Sequence, residues 1–320
     1  MSTSAQRGAA VTGSQDRPLL SVRNLKQYFK IPGGKVVKAV DDISFDIMPG
    51  ETFGLVGESG SGKSTTGRAV IRLDDITDGS IEFDGDDISG RLSKEATQRL
   101  RTNMSMVFQD PMASLNPYRK VIDTIATGLD AHRPHMDKKE REELVYQMMD
   151  RVGLSRSQAN RYPSQFSGGQ RQRVGLARAL IMNPKLVIAD EAISALDVSI
   201  QAQVVNLMRD IQQETGAAYL FIAHDLSMVR YISDHIAVMH LGHIVESGRT
   251  DDIFANPVHP YTRSLISAIP RFNPQIERNR HPLVYDAQAR GIRYDEGTYH
   301  IVSSAHSVLA TDEQFEAWTS

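Results

Sequence analysis

Residues Gly57–Ser64 read Gly-Glu-Ser-Gly-Ser-Gly-Lys-Ser and match the phosphate-loop pattern G-x-x-x-x-G-K-[ST] at every position. Glycine lets a backbone wrap closely enough for its N–H groups to point at phosphate oxygens. Lys63 adds a positive charge for the outer phosphates, and the Ser64 hydroxyl is placed to bind magnesium. We therefore predict a nucleotide site whose contacts come from Gly57, Glu58, Ser59, Gly60, Ser61, Gly62, Lys63, Ser64 and Thr65.

The sequence on either side of this loop favours the same interpretation. Phe53, Leu55 and Val56 predict a buried strand that enters the loop, and residues Ser64–Leu73 predict a helix that leaves it. The dipole of that helix would favour an anion at its N-terminus. The alternative is a flexible glycine linker, but a linker does not require Gly-Lys-Ser between a strand and a helix.

The composition bounds the remaining possibilities. The chain has 320 residues, 40% of them hydrophobic, which is enough for one large or two modest globular domains. A net charge of −3 gives no global basic field, so we expect no nucleic-acid partner. The absence of cysteine excludes disulfides, thiolate catalysis and cysteine-bound clusters. No run of about 18 apolar residues and no secretory signal is present, so any membrane crossing would fall to other chains.

The chain divides into segments of different character. Residues 1–18 are rich in small and polar residues and are predicted to be disordered. Ile43, Phe45 and Ile47 alternate with polar residues and predict a half-buried strand. Residues from about 88 to 165 are charged and helical in pattern, and the apolar stripe within Lys138–Val152 is interpreted as core.

The second half of the chain alternates strands with helices. Short apolar runs at 186–189, 219–223 and 235–239 each predict a buried strand. Between the first two, Val204, Leu207, Met208 and Ile211 recur at helical spacing and predict a helix that covers a sheet. This alternation predicts an α/β fold with a largely parallel sheet.

Two further stretches carry polar groups suited to phosphate chemistry. The apolar run at 186–189 ends in Asp190 and Glu191, of which the first could hold magnesium and the second could orient the attacking water. Acids are also favoured at any helix start, which is the simpler alternative. Ser167 is a good N-cap for a helix that begins Ser-Gly-Gly-Gln, a second possible anion site. From the residues alone, a capped helix start without a ligand is equally consistent.

Ser167-Gly168-Gly169-Gln170, between a phosphate loop and an acid-terminated strand, resembles the signature of ATP-binding cassette (ABC) ATPases. The resemblance covers about residues 19–270. It implies a P-loop NTPase fold of ABC type, with a RecA-like mixed sheet core and a helical subdomain. It also implies a head-to-tail pair of cassettes that encloses ATP and Mg²⁺ between one phosphate loop and the other signature helix. Ser167, Gly168, Gly169 and Gln170 would then contact the γ-phosphate held by the partner.

Other segments match the same family. Gln109 resembles the glutamine that reaches magnesium and the water, and His224 resembles the switch histidine near the γ-phosphate. The stretch 194–197 resembles the loop that crosses the dimer interface, with Asp197 at the nucleotide. The resemblance therefore implies a catalytic set of Glu191, His224 and Gln109, and a magnesium set of Ser64, Gln109 and Asp190.

Phe29 resembles the aromatic residue that stacks on adenine, with Tyr28 the close alternative; a simple core aromatic is the other interpretation of either. The family usually has Pro-Thr after the catalytic glutamate, whereas this chain has Ala192-Ile193. Losing the proline frees the local backbone, and losing the threonine removes a hydroxyl. We expect hydrolysis to persist, with turnover and loop rigidity open to change.

The C-terminal part resembles one branch of the family. Residues 256–262, Asn-Pro-Val-His-Pro-Tyr-Thr, and the stretch 108–117 resemble cassettes of oligopeptide and dipeptide importers. Oligopeptide permeases have two ATPase subunits, designated D and F. The tail, with Leu283, Tyr285 and residues Asp312–Trp318, resembles the F subunit. We accordingly expect an ATPase domain at 19–255, with its helical subdomain at about 88–165, and a C-terminal extension at 256–320.

This resemblance implies partners and a location. The partners are a second, D-type ATPase subunit, two transmembrane permease subunits and an extracytoplasmic peptide-binding protein. The chain would lie peripherally on the cytoplasmic face of the cell membrane. Import of nickel, glutathione or murein peptides is the main alternative. A soluble ABC ATPase of DNA repair or ribosomes is disfavoured by the single cassette. A non-catalytic cassette is disfavoured by Lys63, Glu191 and His224.

Overall fold

A computed structural model describes residues 17–110, 114–194, 196–269, 283–287, 292–303 and 305–320. Of the N-terminal segment predicted to be disordered, residues 1–16 lie outside this part. The strands of the described residues are β1 Leu20–Lys30, β2 Val36–Ile47, β3 Thr52–Val56, β4 Asp78–Phe83, β5 Asp86–Asp87, β6 Met104–Val107, β7 Leu186–Asp190, β8 Ala218–Ala223, β9 His235–His240, β10 His243–Arg249, β11 Thr298–Ser303 and β12 His306–Ala310.

The helices of the same residues run between and after these strands. They are α1 Lys63–Val70, α2 Lys94–Asn103, α3 Val121–Ile125, α4 Thr127–His132, α5 Lys138–Arg151, α6 Gly168–Leu180, α7 Val198–Thr215, α8 Leu226–Ile232, α9 Thr250–Ala255, α10 Pro260–Ser267 and α11 Asp312–Thr319. None of the helices in the described ranges has both the length and the apolar character needed to cross a bilayer.

The strands form two sheets. The larger has the order β11-β12-β10-β9-β3-β8-β7-β6, and its five strands from β9 to β6 run parallel to one another. The strands β10, β12 and β11 continue it antiparallel. The smaller sheet, β2-β1-β4-β5, is antiparallel. The predicted α/β fold with a mixed, largely parallel central sheet is confirmed.

Burial explains why the central strands read as continuous apolar runs. Every residue of β3, β7 and β8 is buried, as expected of parallel strands covered on both faces. Alternate residues of β8 enter different cores: Tyr219 and Phe221 pack towards the helices α6 and α7, while Leu220 and Ile222 pack towards α1 and the smaller sheet. The carboxyl ends of these strands therefore meet at one edge, between two layers.

Two sequence predictions need correction. The helix predicted to reach Leu73 ends at Val70, because Arg72 adopts a φ of +61°, outside the right-handed helical region. Within the segment predicted to be helical from about 88 to 165, residues Met104–Val107 instead form β6, which pairs parallel with β7. These four residues are too few to show a strand pattern, and their conformation is fixed by the neighbouring strand.

The C-terminal extension joins the main sheet. Strands β11 and β12 form a hairpin, and β12 pairs with β10 through Glu246 opposite Val308 and Ser247 opposite Ser307. Part of the segment predicted as an extension at 256–320 thus continues the sheet of the preceding residues. The domain boundaries at 18 and 255 stay predictions.

Candidate nucleotide and hydrolysis site

The phosphate loop connects β3 to α1 in a conformation that requires glycine. Gly57, Gly60 and Gly62 have φ angles of +150°, +81° and +106°. A Cβ atom on Gly57 would lie 2.1 Å from the carbonyl oxygen of Met239, and one on Gly62 would lie 2.2 Å from that of Ala39. The loop is therefore enclosed between β9 and β2, where only a bare backbone fits.

Lys63 is folded over this loop and is almost completely buried. Its Nζ atom donates to the carbonyl oxygens of Gly57 at 2.8 Å and Glu58 at 2.7 Å. Burial lowers the pKa of Lys63, and the nearby carboxylates, Glu191 first among them, oppose this shift. A desolvated ammonium group held beside a loop of backbone N–H groups is a ready partner for phosphate oxygens.

The Ser64 hydroxyl lies next to the carboxylate of Asp190, at the end of β7. Its Oγ atom donates to Asp190 Oδ1 at 2.7 Å. Burial raises the pKa of Asp190, and the Ser64 hydrogen bond opposes the shift. A hydroxyl and a buried carboxylate oxygen are the hard donors that Mg²⁺ prefers, so this pair fits the ion. A cleft of about 580 Å³ opens beside Ser64, Gln109 and Asp190.

Three predicted catalytic residues lie close together, just beyond the carboxyl ends of neighbouring parallel strands. Gln109, Glu191 and His224 follow β6, β7 and β8. The Gln109 amide nitrogen donates to Glu191 Oε2 at 2.6 Å, and His224 Nδ1 lies 3.6 Å from Glu191 Oε1. The Glu191 N–H donates to the carbonyl oxygen of Ile222 at 2.9 Å, which fixes the backbone below the carboxylate. Adjacent parallel strands thus aim three side chains at one place.

The turn after Glu191 lacks the Pro-Thr pair of the family but makes hydrogen bonds of its own. The N–H and the hydroxyl of Ser194 donate to the Glu191 carbonyl oxygen at 3.1 and 2.9 Å. The Gln201 side chain donates to the carbonyl oxygen of Ile193 at 3.1 Å, and Ala192 and Ile193 are both buried. These bonds and contacts connect the turn to α7, and the effect of Ala192-Ile193 on turnover and loop rigidity stays a prediction.

The segment Ser167–Gln170 forms the predicted capped start of α6. Ser167 and Gln170 make a capping box, with N–H to side-chain oxygen distances of 3.3 and 3.0 Å. Gly169 packs against α7, because a Cβ atom there would lie 2.6 Å from Ile200 Cγ2. Within the described ranges, no hydrogen bond or ion pair joins Ser167–Gln170 to residues 57–65. Asp197, at the N-cap of α7, is exposed and caps that helix with no side-chain bond.

The two candidate adenine-stacking residues lie side by side on β1. Phe29 is 39% exposed, whereas the Tyr28 hydroxyl is hydrogen-bonded to Asp41. Phe29 pairs with Val37 on β2. Two residues later on the same strand, the carbonyl oxygen of Ala39 lies close to Gly62 of the phosphate loop. Phe29 is therefore the more exposed of the two side chains.

Comparison with known proteins identifies this architecture. A family profile described as ABC transporter matches residues 40–194. The oligopeptide transport ATP-binding protein OppF of Bacillus subtilis (strain 168) is 54% identical over 302 residues, which are 94% of this chain and 99% of that protein. This chain belongs to the ABC transporter family.

Further matches extend over the rest of this ABC ATPase. A profile described as the oligopeptide/dipeptide transporter C-terminal region matches residues 245–295. The dipeptide transport ATP-binding protein DppF of Lactococcus lactis subsp. cremoris (strain MG1363) is 48% identical over 95% of this chain and 98% of that protein. A dimeric ATP-binding cassette in a post-hydrolysis state, bound to ADP and Pi, superposes with a TM-score of 0.66 at 28% identity, over 72% of this chain and 98% of that one.

One contact of the phosphate loop was not predicted. The N–H of Glu58 donates to the hydroxyl oxygen of Tyr261 at 2.9 Å, across a separation of 203 residues. In the sequence, Tyr261 is one residue of the stretch 256–262 that resembles peptide-importer cassettes. No local pattern could have found its role, because the contact depends on how the C-terminal segment packs behind the loop.

Proposed function

We propose that this ABC ATPase hydrolyses ATP with Mg²⁺ and thereby energises uptake of oligopeptides or dipeptides through a membrane importer. The observation that carries the hydrolytic part is the convergence of Gln109 and His224 on Glu191, next to Ser64 and Asp190. The transport part rests on family membership and on similarity to proteins named for oligopeptide and dipeptide transport.

The chain's own groups divide the work of binding. The N–H groups of residues Gly57 to Thr65 and the Lys63 ammonium hold the phosphates, and Phe29 stacks on adenine, with Tyr28 as the alternative. Ser64, Asp190 and Gln109 would hold the metal. When bound, Mg²⁺ offsets the charge on the phosphate oxygens.

Hydrolysis then requires one water in line with the terminal phosphate. The Glu191 carboxylate accepts a hydrogen bond from that water and polarises it for attack. Gln109 and His224 lie beside different oxygens of the same carboxylate, so together they restrict its rotation. Holding the base in one orientation lowers the entropy lost on reaching the transition state.

A second chain would complete the site. Ser167, Gly168, Gly169 and Gln170 have no bond to the phosphate loop of their own chain within the described part, and they begin a helix, whose N-terminus favours an anion. We infer that they, with Asp197, serve the nucleotide of a D-type partner subunit in a head-to-tail heterodimer. Two permease subunits and an extracytoplasmic peptide-binding protein complete the importer, with this subunit peripheral on the cytoplasmic face of the membrane.

The decisive experiment is reconstitution. This chain, its D-type partner and the permeases in liposomes should take up labelled oligopeptides or dipeptides only with ATP, Mg²⁺ and the binding protein. Uptake of nickel or glutathione in place of peptides would assign another cargo. Recovery of ribosomes and no permease in a pull-down would favour the soluble class.

A further inference from the structure

One peptide plane of the phosphate loop is held from both sides. The carbonyl oxygen of Gly57 accepts from Lys63 Nζ at 2.8 Å, and the N–H of Glu58 donates to Tyr261 Oη at 2.9 Å. These two groups belong to the same peptide unit, so the two bonds together fix its rotation. Lys63 Nζ therefore donates one of its hydrogen bonds to a peptide group whose orientation is fixed by Tyr261.

Tyr261 is itself rigidly placed. It is 1% exposed and is the second residue of α10. Its N–H donates to His259 Nδ1 at 3.1 Å. Its ring centroid lies 4.2 Å from that of His240 and 5.2 Å from that of Tyr285. A buried ring packed on two sides cannot move its hydroxyl without moving its neighbours.

A buried carboxylate anchors the segment that carries Tyr261. Glu246 on β10 is completely buried and accepts from the N–H groups of Val258 at 2.7 Å and His259 at 3.0 Å. Its Oε1 atom also lies 2.7 Å from Nε2 of His306 on β12. The C-terminal hairpin and the start of α10 thus share one acceptor, which connects the tail to the phosphate loop through Tyr261.

We propose that Tyr261 is a positioning residue for the phosphate loop, supplied by the C-terminal extension. By holding the peptide between Gly57 and Glu58, it keeps the loop in the shape that binds phosphate before the nucleotide arrives. A preorganised loop loses less conformational entropy on binding, so its affinity for nucleotide is higher. This inference rests on the proposed nucleotide site and adds a contributor outside the loop's own sequence.

The test compares two substitutions in the full-length chain. Tyr261→Phe keeps the buried ring and removes only the acceptor of the Glu58 N–H. We expect the Kd for ADP and the KM for ATP to rise roughly 3- to 10-fold, with kcat changed by less than about twofold. Tyr219→Phe is the matched control, because its ring is equally buried and its hydroxyl has no hydrogen-bond partner within the described residues. We expect its Kd to equal that of the unsubstituted chain.

The outcomes separate the possibilities. A lower Tm for Tyr261→Phe with an unchanged Kd for ADP would show that the hydroxyl serves stability alone and would overturn the inference. Equal rises in Kd for both variants would overturn it as well, because the effect would not depend on the loop contact. Failure of the unsubstituted chain to bind ADP would overturn both the inference and the proposed function.

Discussion

The side-chain nitrogen of Gln109 donates a 2.6 Å hydrogen bond to Glu191 Oε2, so the segment after β6 holds the carboxylate that follows β7. Gln109 precedes the helices α3 to α5, whereas Glu191 belongs to the sheet edge. Any displacement of the segment after Gln109 would therefore reach the carboxylate directly. This bond gives the proposed hydrolysis a mechanical connection to the helical part of the chain.

Glu191→Gln should abolish turnover while leaving ATP binding intact. The amide keeps the shape of the side chain but cannot act as a base, so kcat should fall roughly 10²- to 10⁴-fold. With the proposed D-type partner present, the variant should accumulate as an ATP-bound closed dimer, which size-exclusion chromatography would detect. Glu143→Gln, on the exposed face of α5, is the control and should hydrolyse normally. Undiminished hydrolysis by Glu191→Gln would refute the assignment.

Gly62→Ala should prevent nucleotide binding. The new Cβ would lie 2.2 Å from the carbonyl oxygen of Ala39 at a φ of +106°, so the loop must distort. The Kd of a fluorescent ADP analogue should rise roughly 5- to 150-fold from a backbone strain of about 1–3 kcal/mol alone, and further because phosphate contacts are lost.

Gly175→Ala is the matched control for that substitution. Gly175 lies inside α6, and a Cβ there would meet nothing within 4 Å. Alanine in a helix interior stabilises by about 0.5–1 kcal/mol relative to glycine, so Tm should rise slightly with unchanged affinity. Retained binding by Gly62→Ala would show that the enclosed loop geometry is not needed.

Acidification should destabilise the fold through His240. Burial, and secondarily the charge of His243, lowers the pKa of His240 from 6.5 to about 4. Between these values the unfolded chain binds a proton that the folded chain does not, so the free energy of unfolding should fall as pH drops from 6.5 towards 4. Urea denaturation at several pH values should show a shallower fall for His240→Gln.

His235 is the control, because its pKa is shifted in the opposite direction to that of His240. Its hydrogen bond to Glu51, at 2.6 Å, raises its pKa above 6.5. The resulting stability is fully present below the unfolded pKa and is lost as pH rises through the folded pKa. His235→Gln should therefore lose stability mainly at acid pH. Identical pH profiles for both variants would contradict the assigned directions.

Ile193→Thr should lower stability but preserve hydrolysis. Ile193 is buried in the turn after Glu191, and threonine would bury a hydroxyl there and remove a methylene group. The free energy of unfolding should fall by about 1–3 kcal/mol, measured by chemical denaturation. Val198→Thr is the control, because Val198 is 74% exposed and its replacement should be neutral. A gain of stability in Ile193→Thr would show that the buried isoleucine is not what holds the turn.

Local patterns made much of this structure predictable. The phosphate loop needs glycines because of its own backbone angles, and the capping box of Ser167 and Gln170 lies within four residues. The runs at 186–189, 219–223 and 235–239 became strands because each is buried from both sides. The backbone angles of the loop and the capping box lie within their own patterns, and the burial of the strands is visible in the sequence as continuous apolar runs.

The remaining features depend on distant partners. Strand β6 takes its conformation from β7, about 80 residues later, and β12 takes its place from β10. The bond between Glu58 and Tyr261 spans 203 residues and leaves no periodic trace in either segment. Such contacts follow from tertiary packing, which one sequence without its fold does not display.

The pairing of β12 with β10 also has a consequence for shortened forms of the protein. A chain cut before the hairpin would bare the N–H and C=O groups along β10 and leave the Glu246 carboxylate without His306. An edge strand with unpaired backbone groups can form hydrogen bonds with strands of other molecules, so such a fragment would tend to aggregate. In the full chain the hairpin covers β10 and leaves β11, whose residues are exposed or half-buried, as the outermost described strand of the sheet.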